Sequence, residues 1–361
     1  MSAYQSSKRL QAMSLIIGLL CTGQAFGTES GGEKTRALPG TGFSHNDWEL
    51  ACDNTMTCRA AGYNAEDESP ASILLTRKAG PTEPVRAEVK LGVDDNGKRP
   101  SGKLRIRIDG RDYGRLLVDA ESAKLTGKQV EVLLVSLRGS STIEIAIGDD
   151  VWPISSNGSS AVLLKMDEFQ GRLGTPGALI RRGKRSEDSV AKPLAVPVVR
   201  AAPLVPGQLQ DKALEKDPPA SLIKALRATF KSPDDCEGLF AKGARPEGFK
   251  VTRLSPKKLL VTARCWLGAY NEGNGCWVVD DSPPFHAVLV TESASSSENG
   301  SISSAQKGRG PGDCWFGDEW TWDGEQFVQT RSFSTGMCKG IEPGGAWTLP
   351  TLVTEVQPAF K

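Results

Sequence analysis

The sequence predicts an α+β fold with two strand-dominated domains, each carrying a few helices, braced by disulfides and joined by a proline-rich linker. Three observations predict it. Several segments alternate apolar and polar residues, which is the periodicity of half-buried strands. Fewer segments repeat apolar residues every three or four positions, as one face of a helix requires. Prolines concentrate at residues 193–206, between these patterned regions, and such spacing favours extended chain.

The composition limits the classes of partner. The 361 residues carry 44 Lys and Arg against 43 Asp and Glu, a net charge of +1. Nucleic-acid-binding proteins carry a basic excess, so we expect no nucleic-acid partner. With 24% charged and 39% apolar residues, the chain can bury a core. Only two histidines are present, and we expect neither a metal site nor a cofactor.

Residues 1–27 resemble a cleaved signal peptide. Lys8 and Arg9 precede an apolar run over residues 10–21, and Ala25-Phe26-Gly27 offers a small-x-small cleavage site. The run is about 12 residues, too short to span about 30 Å of hydrocarbon. A lipid anchor at Cys21 is the weaker alternative, because Leu20 stands where a small residue is wanted. We therefore expect a periplasmic protein with no membrane span in the mature chain.

The first domain is predicted at residues 41–171. Residues 103–108 and 142–147 alternate strictly and predict strands. Apolar residues within 126–137 recur on one helix face, and 159–169 predicts a second helix. Further strands are predicted at 72–77, 85–91 and 115–118.

The predicted linker covers residues 172–219. It contains a basic patch at 181–185, which is either a solvated loop or a site of attraction to anionic lipid or glycan.

The second domain is predicted at residues 220–361. Asp217 is the expected N-cap of a helix that ends before Pro233. Asp323-Gly324 predicts a two-residue hairpin turn that sets Trp320 opposite Phe327. Strands are predicted at 258–263, 276–279, 287–291 and 326–330.

Export of the chain predicts that most of its cysteines form disulfides. Removal of residues 1–27 leaves seven of the eight cysteines, and an oxidising compartment favours disulfides. Because seven is odd, one thiol stays free or pairs between chains. Connectivity does not follow from sequence, but one arrangement leaves Cys276 unpaired. It joins Cys52 to Cys58, Cys236 to Cys265 and Cys314 to Cys338. A thiol-reactive sensor at Cys276 is a further hypothesis, weakened by the lack of a Cys-x-x-Cys motif.

A hydrolase would need a nucleophile beside a histidine. His286 has Ser282 and Asp281 nearby in sequence, but the chain has no Gly-x-Ser-x-Gly motif. We assign no catalytic residue. An envelope-directed hydrolase using His286 and nearby carboxylates is the alternative hypothesis.

The last 60 residues combine aromatic side chains with a glycine-rich stretch at 306–313. This stretch lacks the ending of a phosphate-binding loop, so it predicts a long exposed turn. Trp320 and Trp322 are expected in the core. Aromatic faces can anchor a protein or stack on a sugar. The binding candidates are Lys307, Arg309, Asp313, Trp315 and Trp347.

Several motifs occur in order along roughly residues 43–355. They are WELACDN at 48–54, CRAAGY at 58–63, DEFQGR at 167–172, ALIRRG at 178–183, CWLGAYN at 265–271, KGRG at 307–310, GDC at 312–314, WTWDG at 320–324 and CKG at 338–340. In these motifs the chain resembles a family of secreted proteobacterial proteins known as a domain of unknown function. The resemblance implies a periplasmic location and two cysteine-bonded halves, and it implies no activity.

The first domain alone is also similar to the invasion-associated locus B proteins, through its Trp48, Cys52 and Cys58 opening and the helices and strand that follow. Fold does not fix function, so this similarity implies only a shared fold. The leading hypothesis is a non-enzymatic binding or interaction protein of the cell envelope, whose partner is an envelope protein or glycan.

Overall fold

A computed structural model describes residues 40–65, 69–118, 122–204, 211–242 and 245–358. The described residues all belong to one compact unit, Ala37–Lys361. The predicted signal peptide, with Cys21, lies outside them. The chain is strand-rich, with 40% of residues in strands and 15% in helices. Within the described residues, no helix has the length and apolar character needed to cross a membrane.

The first half forms two antiparallel sheets and two helices. A seven-stranded sheet has the order β1-β2-β3-β4-β5-β9-β8, and a four-stranded sheet has the order β11-β10-β6-β7. The elements are β1 Thr41–His45, β2 Trp48–Cys52, β3 Cys58–Tyr63, β4 Ala71–Arg77, β5 Val85–Leu91, β6 Arg105–Ile108, β7 Arg111–Arg115, β8 Leu117–Val118, β9 Ala123–Lys124, α1 Gly127–Ser136, β10 Ile143–Ile147, β11 Asp150–Ile154 and α2 Ser159–Phe169.

Both sheets and both helices contribute to one apolar core, in which Ile73, Ile106, Leu133 and Leu163 are fully buried. The two helices predicted from periodicity are confirmed. Helix α1 begins with a capping box in which the Thr126 hydroxyl accepts from the Gln129 amide and the Gln129 side chain accepts from the Thr126 amide.

The chain stays packed after α2. Arg172 is fully buried, and its guanidinium donates to Gln170 Oε1 and to backbone carbonyls of residues 78, 80 and 81. The Asp167 carboxylate accepts from the amides of Leu179 and Ile180 at 2.7 and 3.0 Å. The predicted division into two domains with a linker over 172–219 is therefore not confirmed, because these polar contacts tie residues 172–180 to the first half.

The second half contains two further antiparallel sheets with short helices. Their orders are β13-β14-β15-β16 and β17-β18-β19-β20-β21, and β12 pairs in parallel with β22. The elements are β12 Val198–Arg200, α3 Lys212–Lys216, α4 Ala220–Arg227, α5 Glu237–Phe240, β13 Lys250–Ser255, β14 Lys258–Leu267, β15 Glu272–Asp280, β16 Val288–Ala294, β17 Ser296–Glu298, β18 Ser301–Lys307, β19 Trp315–Trp322, β20 Phe327–Ser334, β21 Leu349–Leu352 and β22 Glu355–Gln357.

The four-stranded sheet β13–β16 is covered on both faces. Val261 and Trp277 face helices α4 and α5, where Leu226 is fully buried. Leu260 and Val278 face the five-stranded sheet, where they contact the cluster around Trp322 and Ile302. Alternation along each strand explains this division, because successive side chains point to opposite faces.

Two local predictions in this half are wrong. Helix α4 is capped by Pro219, and Asp217 is instead the C-cap of α3. Pro218 precedes Pro219 and is therefore held out of the helical region, so the helix cannot begin there. The β19–β20 hairpin pairs Trp322 with Phe327, and this register sets Trp320 opposite Gln329 instead of Phe327. The cause is a longer turn, in which the Asp323 carboxylate accepts from the amides of Glu325 and Gln326.

The last segment of the chain returns to the first sheet. The Met337 amide donates to Glu49 Oε1 at 2.6 Å, and the Tyr63 hydroxyl donates to the same oxygen at 2.6 Å. Asn54 exchanges two hydrogen bonds with the backbone of Val353. The Met337 and Val353 contacts join residues 288 and 299 positions apart, so they fix where the end of the chain lies.

Three disulfides brace the structure. They join Cys52 to Cys58, Cys236 to Cys265 and Cys314 to Cys338, which is the arrangement considered from the sequence. Cys276 is free and buried.

The buried Arg172 network supports a stability prediction. Arg172→Met should lower the free energy of unfolding by about 3 kcal/mol, because several buried carbonyl groups lose their donor. Urea unfolding followed by tryptophan fluorescence measures the change. Arg181→Met, at an exposed position, is the control and should change stability by less than about 0.5 kcal/mol. Equal stability of both variants would contradict the structural role of Arg172.

Candidate functional site

Four of the five predicted binding residues lie together at one end of the five-stranded sheet. Lys307 ends β18 and Trp315 begins β19, and the two residues pair directly across the strands. Arg309 and Asp313 lie in the connecting loop, residues 308–314. The turn predicted from the glycine-rich stretch is therefore the tip of a hairpin.

A two-point contact fixes Arg309. Its Nε donates to Asp313 Oδ1 at 2.7 Å, and Nη2 donates to Oδ2 at 2.5 Å. The Gly340 amide also donates to Oδ2, at 2.7 Å. These donors, with Arg309 the largest influence, lower the pKa of Asp313. The buried carboxylate therefore stays ionised at neutral pH and holds the guanidinium, which is half-exposed, in one orientation.

Lys307 and Trp315 form the neighbouring part of the site. Lys307 Nζ lies 5.5 Å from the Trp315 ring centroid, within cation–π range. The Trp315 indole donates to the Gly312 carbonyl at 2.9 Å. Asn271 exchanges two 2.9 Å hydrogen bonds with the backbone of Lys307, so the β14–β15 hairpin is attached to the same loop.

Exposed apolar side chains lie near the loop that carries these cations. Tyr270 is 48% exposed and Phe316 is 55% exposed. A Cβ placed on Gly310 would lie 3.9 Å from the Tyr270 ring, and one placed on Gly308 would lie 3.5 Å from the Phe316 ring. Leu267, in the same hairpin as Tyr270, is 67% exposed. We name this surface the aromatic rim, defined as Leu267, Tyr270, Lys307, Arg309, Trp315 and Phe316.

Gly308 lies too close to the disulfide to carry a side chain. A Cβ there would lie 2.6 Å from Cys314 Sγ and 3.0 Å from Cys338 Sγ. The backbone thus passes directly over the disulfide, which connects the loop to the returning end of the chain.

Trp347 does not join the aromatic rim. It is buried against the first sheet, where its indole donates to Ser72 Oγ at 2.7 Å. Lys90 Nζ lies 5.2 Å from its ring centroid. Because Trp347 is buried, its side chain is not available to bind a partner.

Sequence reasoning missed Leu267, Tyr270 and Phe316. Leu267 and Tyr270 lie in the CWLGAYN motif at 265–271, and Phe316 directly follows Cys314-Trp315. The CWLGAYN motif was therefore the sequence feature that could have indicated Leu267 and Tyr270.

Comparison with known proteins identifies the family. A family model described as "Protein of unknown function (DUF1176)" matches residues 42–354. The chain belongs to this family. It is 25% identical to the uncharacterized protein YpfG of Escherichia coli strain K12, over 85% of this chain and 91% of that protein. No solved structure matches the chain.

Four of the motifs that resemble the DUF1176 family meet at the aromatic rim. Residues 265–271 contribute Tyr270 and Asn271, and residues 307–310 contribute Lys307 and Arg309. Residues 312–314 supply Asp313, and residues 338–340 supply the Gly340 amide that contacts it. The fold therefore gathers segments separated by up to about 70 positions into one surface.

His286 forms a different arrangement from the one considered in the sequence. It is 70% exposed, and its Nδ1 lies 2.6 Å from Asp280 Oδ2, while Asp281 faces Arg253 at 3.5 Å. Lys258 and then His286 lower the pKa of Asp280. Within the described chain His286 has no hydrogen bond to a hydroxyl or thiol, so the geometry offers a histidine–carboxylate pair without a nucleophile.

The remaining thiol and the candidate metal ligands are poorly placed for chemistry. Burial raises the pKa of Cys276 to about 12, so its thiolate is scarce at neutral pH, which weakens the sensor hypothesis. In the described part of the chain, Asp313, Cys314 and Cys338 form the one cluster of metal-ligand residue types. Both sulfurs are bonded in the disulfide, which leaves one carboxylate.

The Asp313 geometry predicts a pH-dependent effect. A lowered pKa in the folded state stabilises the protein above the ordinary value of 3.8, and this contribution is lost as the pH falls through the folded value. Asp313→Asn should therefore cost about 1 kcal/mol of unfolding free energy at about pH 7, because Arg309 is partly solvated.

The cost should vanish below the folded pKa of Asp313, where the wild-type carboxyl is protonated as well. Urea unfolding at neutral and acidic pH measures the difference between the proteins. Asp149→Asn, at an exposed site, is the control and should show no pH-dependent difference. A cost for Asp313→Asn that persists unchanged in acid would contradict the ionic contact.

Proposed function

We propose that the protein is a secreted periplasmic interaction protein, non-enzymatic, that binds another cell-envelope protein through the aromatic rim. The observation that carries this proposal is the Arg309–Asp313 contact, which orients a half-exposed guanidinium. The loop that carries it approaches the exposed rings of Tyr270 and Phe316 at Gly310 and Gly308. Tyrosine, tryptophan and arginine are the side chains that most often dominate protein interfaces.

The rigidity of the aromatic rim supports binding. A disulfide, the Asp313 carboxylate and the Asn271 side chain each fix part of the loop. Binding by a preorganised surface avoids much of the entropy lost when flexible side chains become ordered. The exposed apolar side chains of the aromatic rim lie outside the core, so core packing does not account for them.

The details of the aromatic rim favour a protein over a glycan as its partner. Lys307 lies over the Trp315 ring, so that face is not open for stacking on a sugar. Leu267 adds an exposed aliphatic side chain, which protein interfaces bury readily. Binding of a glycan instead of a protein to this surface would contradict the proposed class of partner.

The location rests on separate support. Three disulfides fit a protein that folds outside the reducing cytoplasm. The sequence of residues 1–27 favours export by a cleaved signal peptide, and the resemblance to secreted proteobacterial proteins favours the periplasm.

A hydrolase acting on envelope material is the second candidate. The exposed His286, paired to Asp280 at 2.6 Å, is the observation in its favour, since such a pair can act as a general base. His286→Ala separates the two candidates, because a binding protein keeps its partner and a hydrolase loses turnover.

Photo-crosslinking in the periplasm tests the aromatic rim directly. A crosslinking amino acid replaces Phe316, and the same residue replaces Val135, which is exposed on α1 in the first half. We expect one discrete adduct from position 316 and none from position 135. Mass spectrometry identifies the captured protein, which is then purified.

Affinity measurements with that purified partner complete the test. The double variant Tyr270→Ala, Arg309→Ala should weaken binding at least about tenfold. The matched double variant Tyr113→Ala, Arg181→Ala should bind as the wild type does. Equal adducts at both crosslinking positions, or equal affinity of both double variants, would overturn the proposal.

A further inference from the structure

A large polar cleft lies between the four-stranded sheet and residues 295–300, which include β17. Its volume is about 800 Å³, within the range of ligand-binding pockets. Glu272, one of its lining residues, directly follows Asn271, so one end of the cleft approaches the loop that carries the aromatic rim. The cleft itself contains no residue of the aromatic rim.

The register of four strands builds the cleft wall. Lys250 of β13 pairs with Thr262 of β14, Thr252 pairs with Leu260, and Asn274 of β15 pairs with Ala294 of β16. Side chains two positions apart share a face. The wall therefore presents hydroxyl and amide groups in rows.

Several polar groups in the cleft have no hydrogen-bond partner within the described chain. They are the hydroxyls of Thr252, Thr262 and Ser297 and the side-chain amide of Asn299. Other lining groups are occupied, since Asn274 Nδ2 donates to the Ala294 carbonyl at 3.1 Å and Ser295 Oγ donates to the Ala305 carbonyl. The cleft thus offers donors and acceptors that the fold itself does not use.

The charges of the cleft are balanced. Lys212 and Lys250 line it together with Glu272 and Glu298. None of the four has an ion-pair partner among the described residues. Two cations against two anions give no net attraction for a polyanion, and the polar walls disfavour an apolar ligand.

We propose that this cleft binds a short neutral glycan. Sugar hydroxyls both donate and accept, as the threonine and serine hydroxyls of the wall do. Leu254 and Leu260 also line the cleft, but they are buried in the core beneath it, so its polar groups are what a ligand would contact. The site is distinct from the aromatic rim, so the protein would hold two different partners.

Titration with soluble sugars tests the proposal on the mature protein. The probes are tetra-N-acetylchitotetraose, cellotetraose and maltotetraose, followed by saturation-transfer NMR and calorimetry. We expect at least one tetrasaccharide to bind the wild type. The double variant Thr252→Val, Thr262→Val keeps the side-chain shape and removes two hydroxyls, and it should lose at least about tenfold in affinity.

Three comparisons keep the result interpretable. Thr348→Val, at an exposed position outside the cleft, should bind sugar as the wild type does. Ser297→Ala provides a second cleft variant if the double variant unfolds. Tyr270→Ala, Arg309→Ala should keep sugar binding, which separates a failure of the cleft from a failure of the aromatic rim.

Two results would overturn the assignment. One is the absence of binding by all three tetrasaccharides at millimolar concentration. The other is unchanged affinity of folded cleft variants, which would place any sugar elsewhere on the protein.

Discussion

The return of the chain end to the first sheet is the constraint on which the candidate site depends. Glu49 receives hydrogen bonds from the Tyr63 hydroxyl and the Met337 amide. One residue later Cys338 bonds to Cys314, and Gly340 donates to Asp313. Asp313 in turn orients Arg309. A sequence of short contacts therefore runs from the buried first sheet to the exposed loop.

This arrangement explains why the protein combines a strand-rich scaffold with a rigid surface loop. Gly336 lies against the Glu49, Tyr63 and Met337 contact, where a Cβ would come within 2.2 Å of the Tyr63 hydroxyl oxygen. Its positive φ of 99° also suits glycine. Gly308 crosses the disulfide at the other end. The backbone approaches its neighbours closely at both positions, which leaves the loop little freedom.

The sequence predicted what depends on local pattern. Helices α1 and α2 follow from apolar periodicity, and the disulfide between Cys52 and Cys58 closes a short turn. The chemistry of Lys307, Arg309 and Asp313 was also visible in the glycine-rich stretch. Local pattern could not place Trp347, because its burial arises from contact with a sheet about 275 positions earlier in the chain. The same limit applies to the exposed rings of Tyr270 and Phe316.

Hydrogen exchange followed by mass spectrometry tests this account most directly. We expect Glu49→Ala to increase amide exchange in residues 308–314 and at Gly340. Glu49→Gln keeps an acceptor oxygen, so it should leave protection near the wild-type level. Exchange in the central strands β3 and β4 should stay slow in both variants. Unchanged protection of residues 308–314 in a folded Glu49→Ala protein would contradict the claim that the first sheet holds the aromatic rim in place.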